Sequence, residues 1–132
     1  MTSIEFIYFV SLLIPCTMLC IGVFNYVRIP KGINKDAGYR TIRSMQNQTT
    51  WKYANCMFAR FMMVFGMILL IITIIVLHHL EIYSSHVLVT NAVIFLFVQI
   101  GTMILPIVMT ECSLKHKFDA NGHVLNDTNK HS

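Results

Sequence analysis

Three long apolar runs, residues 4–27, 56–77 and 87–109, decide most of what this chain can become. Each is longer than 20 residues, and a helix needs about 20 to cross the hydrocarbon core of a bilayer. A helix of a soluble bundle would carry a Lys and Glu stripe at a period of 3.6. None of these runs does. Charge is scarce as well: 12% of the 132 residues are charged and 55% are hydrophobic, where a soluble domain carries about 25% charged. The expectation is an all-α, integral membrane bundle of three transmembrane helices over residues 4–28, 48–79 and 86–112, with a loop at 29–47. Residues 1–122 form one membrane domain, and the polar tail that follows, residues 123–132, frays. The first run reads as a retained span. It opens on Glu5 with no Lys or Arg before it, and no small-x-small cleavage site follows.

The loop after the first run holds Arg28, Lys31, Lys35, Arg40, Arg43 and Lys52 against Asp36 alone. The short link after the second carries Glu81 and no Lys or Arg, and the tail carries Lys115, Lys117 and Lys130. Basic loops stay in the cytoplasm. The N-terminus is therefore expected outside and the long loop and C-terminus inside, in a multi-pass protein of a bacterial plasma membrane. The formal charge of +4 then serves lipid headgroups, and no nucleic-acid partner is expected.

Polar and small residues inside spans should face protein. Ser11, Pro15, Met18, Gly22 and Asn25 share a face of the first span. Ala59, Gly66 and Thr73 recur every seven residues in the second. Asn91, Gln99, Thr102, Pro106 and Thr110 fall on one arc of the third. These stripes are expected to meet in the bundle centre, with a homo-oligomer contact as the competing use. Pro15 and Pro106 should kink their helices. Span Ser and Thr hydroxyls should bond back to their own helix. Cys16, Cys20, Cys56 and Cys112 read as small apolar packing residues. Arg60 lies about one turn inside the second span. It either snorkels to the interface, pairs with Glu111 at the same depth, or meets a ligand.

Few residues suggest chemistry. His78, His79, Glu81 and His86 gather on the short link, but their spacing matches no standard metal site. No phosphate loop and no nucleophile–base pair stand out. The expectation is a protein without cofactor, metal or catalytic residues.

The long loop is more specific. Pro30 and Gly32 end the first helix and residues 34–38 read as a turn, with Asn34 at its start. Asn47 can cap a helix from about residue 48. Trp51 and Tyr53 then fall at the lipid–water boundary. Gly38 suits a backbone shape closed to other residues, and Arg40 can bridge helix carbonyls or a lipid phosphate. Together these residues look like a folding clamp between the first two spans, or a contact for a cytoplasmic partner.

The run Gly38-Tyr39-Arg40-Thr41, followed by Ser44-Met45, Asn47, Trp51 and Ala54-Asn55, resembles the signature of the SdpI/YfhL family. So does the ending Glu111, Leu114, Phe118-Asp119 and Gly122. The resemblance runs from Pro30 to about Gly122. It implies a non-enzymatic bacterial membrane protein that gives immunity to a membrane-active peptide toxin, the sporulation-delaying protein. Larger members also signal by holding a transcriptional repressor at the membrane, and they carry a further membrane domain in front of the three-helix part. The functions to weigh are thus immunity, with the peptide toxin as partner, a signalling or scaffold subunit holding a cytoplasmic protein, and a small transporter subunit. The candidate functional residues are Asn34, Gly38, Tyr39, Arg40, Thr41, Ser44, Asn47, Trp51, Asn55, Arg60 and Glu111.

Overall fold

A computed structural model describes residues 3–29, 31–33, 36–80 and 85–125. Among them the chain forms α1 (Ser3–Val27), α2 (Gln48–Leu80), α3 (Ser85–Thr102) and α4 (Leu105–Lys117). Three stretches are long and apolar enough to cross a membrane: Glu5–Val27, Gln48–His79 and Val89–Lys117. The third bridges α3 and α4, so the third span is broken and runs on beyond residue 112 to Lys117. The break follows from Pro106, which lacks an N–H for the carbonyl of Thr102 and crowds it. The chain passes through tighter turns there: Ile104 N donates to Gly101 O at 3.2 Å and Ile107 N to Ile104 O at 3.1 Å.

Pro15 leaves α1 continuous but has a partner across the bundle. Its missing N–H frees the carbonyl of Ser11, four residues back. Gln99 Nε2 fills that position at 3.0 Å. The same nitrogen donates to Thr73 Oγ1 at 2.8 Å, and Thr73 passes its own proton to Leu69 O at 2.7 Å. One fully buried amide thus joins all three spans. Gln99 Oε1 has no donor within reach among the described residues.

α1 and α2 approach each other through small residues. A Cβ on Gly22 would stand 2.9 Å from the backbone nitrogen of Met63, and one on Gly66 would stand 3.2 Å from that of Leu19. Large side chains would hold these helices apart, and small ones let dispersion contacts form between backbones. Ser11, Pro15, Met18 and Gly22 face inward, as do Ala59, Gly66 and Thr73. Met18, Met62 and Leu69 make the apolar core between them. Gln99, Pro106 and Thr110 are also buried, whereas Asn91 is exposed and does not join the stripe. Asn25 is only half-buried and bonds back to Ile21 O at 2.8 Å. Hydroxyl back-bonding recurs at Thr17, Thr102 and Thr110.

The outer surface of the spans is apolar, with Phe9, Phe24, Ile74 and Phe97 among its exposed side chains. This inside-out distribution suits a lipid solvent. Cys16, Cys20 and Cys112 belong to that surface and Cys56 is half-buried. The thiols therefore lie mostly on the lipid-facing side rather than in the packing interior, because the inward stripes are taken by Gly, Ala and Met.

Candidate functional site

At 33 residues, α2 is about 50 Å long, well beyond a hydrocarbon core of about 30 Å. The loop between α1 and α2 wraps its Gln48 end. Asn47 starts the helix as a cap: its Oδ1 accepts from Thr50 N at 2.9 Å. Thr50 Oγ1 in turn accepts from Asn47 N at 3.1 Å, which satisfies two otherwise orphaned donors reciprocally.

Gly38 sits over the next turn of α2 with φ +104°. That backbone shape lets Tyr39 N–H point at Asn55 Oδ1, 2.6 Å away. Asn55 Nδ2 is anchored on Trp51 O at 2.9 Å. Trp51 is fully buried, and a Cβ on Gly38 would lie 3.2 Å from its Cζ2. Trp51 is therefore not an anchor at the lipid–water boundary. The loop folds back over α2 and encloses it, which sequence position alone did not reveal. Tyr53 is half-buried, with Lys117 Nζ 4.3 Å from its ring centre.

Tyr39 carries the loop to the third span. Its ring lies against Phe58, centroids 4.8 Å apart. Its hydroxyl donates to Glu111 Oε1 at 2.9 Å, with Ile107 O at 3.3 Å as a second acceptor. Burial, followed by the hydrogen bond and charge of Glu111, raises the Tyr39 phenol well above its ordinary value. Glu111 thus pairs with Tyr39 rather than with Arg60, which is exposed and has no ion pair among the described residues. Beyond Tyr39 the chain turns on Thr41 and Ser44. Thr41 N donates to Ser44 Oγ at 2.8 Å and Ser44 N to Thr41 Oγ1 at 3.2 Å. Ser44 Oγ also reaches Tyr39 O at 3.0 Å.

Residues after α4 close the site from the other side. Phe118 is buried beside Tyr39, Ala54 and Leu114, and it pairs antiparallel with Val124. Asp119 Oδ1 accepts from Asn121 N at 2.9 Å and His123 N at 2.8 Å. The bond from His123 is the largest of the contributions that lower its pKa. Gly122, at φ +81°, offers its carbonyl to Asn47 Nδ2 at 2.8 Å. Residues 119–125 are thus a folded turn docked on the loop, so order runs past residue 122 at least to Leu125. The expected frayed tail over residues 126–132 lies outside the described residues.

Gly38, Tyr39, Thr41, Ser44, Asn47, Trp51, Asn55 and Glu111 therefore meet in one bonded cluster. Arg40 is exposed at its edge and bridges no helix carbonyl among the described residues. Asn34 lies outside the described residues, as do the side chains of Glu81 and His86, while His78 and His79 are exposed. Thr50 was missed by sequence reasoning, although its place three residues after Asn47 is the spacing of a reciprocal cap. Gln99 was read as one member of a stripe rather than as the bundle's central bond. The signal was the proline four residues after Ser11.

Comparison with known proteins covers this cluster apart from Glu111. No curated protein and no solved structure matches the chain. A family model described as the SdpI/YfhL protein family matches residues 31–110, which include the loop, α2, α3 and the first turns of α4. That match covers more than half of the chain, and the protein belongs to the SdpI/YfhL family.

Proposed function

We propose that this protein is an immunity protein of the bacterial plasma membrane. It protects its cell from a membrane-active peptide toxin by a non-enzymatic route. The observation that carries this reading is the SdpI/YfhL match over residues 31–110. Basic residues in the loop and tail support a topology with both inside and the N-terminus outside. The peptide would then be met within the bilayer, along the outer halves of the helices. An apolar crevice of about 130 Å³ between α1 and α3 is lined by Phe6, Val10, Val89 and Val93, at the bundle end that this topology would put outside. Its shallow, apolar walls suit side chains of an inserted peptide.

The test is survival of a sensitive bacterium expressing this chain, challenged with sporulation-delaying-protein toxin, with membrane potential followed throughout. Intact potential and survival support immunity. Collapse of the potential in cells whose membranes contain the folded protein, across related peptide toxins as well, sinks it.

A further inference from the structure

Most polar side chains of the loop motif are bonded inward, but two cations are not. Arg40 and Arg43 have no hydrogen-bond or ion-pair partner among the described residues. They line an open groove of about 860 Å³ together with Thr41, Ile42, Met45 and Glu111. Ile42, between the two arginines, is 90% exposed. An isoleucine between two basic side chains is a pattern that a membrane interface accommodates, the apolar group entering the acyl boundary and the cations meeting headgroups.

The groove's depth supports this. Ile104, at the N-cap of α4, and Ile107 in its first turn are exposed and precede Glu111 at spacings of three and four. Apolar surface gives way to a carboxylate there, which places the groove at the border between acyl chains and headgroups. The groove also holds both signs of charge. Guanidinium forks match phosphate oxygens. Glu111 is bonded by Tyr39 through Oε1 and retains lone pairs for another donor. A headgroup with a phosphate and no cation would set its charge against that carboxylate. One carrying an ammonium with N–H donors satisfies both.

We propose that this groove is a lipid site, in which Arg40 and Arg43 hold the phosphate and Glu111 the ammonium of phosphatidylethanolamine in the adjoining leaflet. Its acyl chain lies along Ile104 and Ile107, and Ile42 enters the interface on the opposite rim.

The full chain purified in detergent would be titrated with phosphatidylethanolamine, phosphatidylglycerol or phosphatidylcholine and its thermal unfolding followed. Stabilisation at the lowest lipid concentration is expected with phosphatidylethanolamine. Arg40→Gln and Arg43→Gln should each weaken it about tenfold, and together about a hundredfold, since a hydrogen bond to a charged group contributes about that much. Neither side chain bonds to the fold, so unfolding without lipid should match the wild type. Glu111→Gln, which keeps an acceptor for Tyr39, should erase the preference over phosphatidylglycerol. Equal or better stabilisation by phosphatidylglycerol in the wild type overturns the assignment. So does undiminished binding by the double variant, or displacement of the lipid by a short polyglutamate peptide, which would give the groove to an acidic protein segment.

Discussion

Replacing Gly38 with alanine tests the core of the site. Two costs can be worked out. At φ +104° a residue with a side chain is strained, by about 1–3 kcal/mol. The new Cβ would also stand 2.5 Å from Asn55 Oδ1, closer than such atoms can approach. Asn55 must move, yet Oδ1 is the acceptor for Tyr39 N–H at 2.6 Å. Swinging it aside leaves a buried N–H without a partner, at about 1–3 kcal/mol. The other escape is toward Trp51, whose Cζ2 the new Cβ would already meet at 3.2 Å. Gly38→Ala should therefore cost about 2–6 kcal/mol, the sum of the two. That is a large part of a typical folding free energy of about 5–15 kcal/mol.

The assay is unfolding of the detergent-purified protein by increasing mole fraction of dodecyl sulfate, followed through the emission of its single tryptophan. Gly32→Ala is the control. Gly32 lacks a positive φ and has nothing within 4 Å of an added Cβ, so it should stay within about 1 kcal/mol of wild type. The two costs separate in an Asn55→Ala background, where no clash remains. There Gly38→Ala should cost only its dihedral strain, leaving a coupling of about 1–3 kcal/mol between the two positions. Strict additivity, or a Gly38→Ala protein as stable as the Gly32→Ala one, would refute the reasoning.

Other outcomes follow from the same geometry. Trp51, fully buried, should resist quenching by both aqueous acrylamide and brominated lipid, and Trp51→Ala should lose about 3–5 kcal/mol; strong lipid quenching would restore a boundary position. Tyr39 has a raised folded pKa, so its contribution is complete below the ordinary value of 10.0 and is lost as pH rises above it. Wild type should then lose up to about 1.4 kcal/mol per pH unit more than Tyr39→Phe, and one tyrosine should ionise late by phenolate absorbance. Asn47→Ala should cost about 1–2 kcal/mol at the cap and speed amide exchange across residues 119–125, whose anchor on Gly122 O is removed. Arg60→Gln, at an exposed position without a bonded partner, should leave stability within about 0.5 kcal/mol.

The spans were legible because length and apolarity suffice to mark them, and inward stripes because small and polar residues have few other uses in lipid. Pro106 signalled a kink, but a full break depended on how the turn at residues 103–104 could be rebonded. Trp51 was misplaced for a physical reason. Sequence position gives depth along a helix, while burial depends on what folds over it. The loop's return across Trp51 is set by Gly38, and a glycine does not announce which way it turns the chain. Glu111, weighed as one of three uses for Arg60, bonds to Tyr39 instead. Tyr39 reaches it from a separate segment and is held there by Asn55 and Phe58. The docked turn after α4 looked like a polar tail, since its order comes from bonds to Asn47 and Gln46 across the molecule.

The two ends of the molecule divide their duties, and this bears on how function should be sought. Inside the bilayer, a single amide at Gln99 and a seam of small residues hold the helices, and the outward faces are left apolar. At the loop end, most of the polar motif side chains are committed to the fold: Asn55 to Tyr39, Tyr39 to Glu111, Ser44 to Thr41, Asn47 to Thr50 and Gly122. A family motif of this kind preserves a shape. On the immunity reading, changing its members should lower protection by lowering the amount of folded protein. The side chains with capacity to spare are Arg40, Arg43 and Ile42 on the groove and the outward helix faces around Phe6 and Val93. Variants there leave the bonded cluster intact. A loss of protection at unchanged protein level in such variants therefore identifies a contact surface, whereas the same loss in Gly38 or Asn55 variants reports folding.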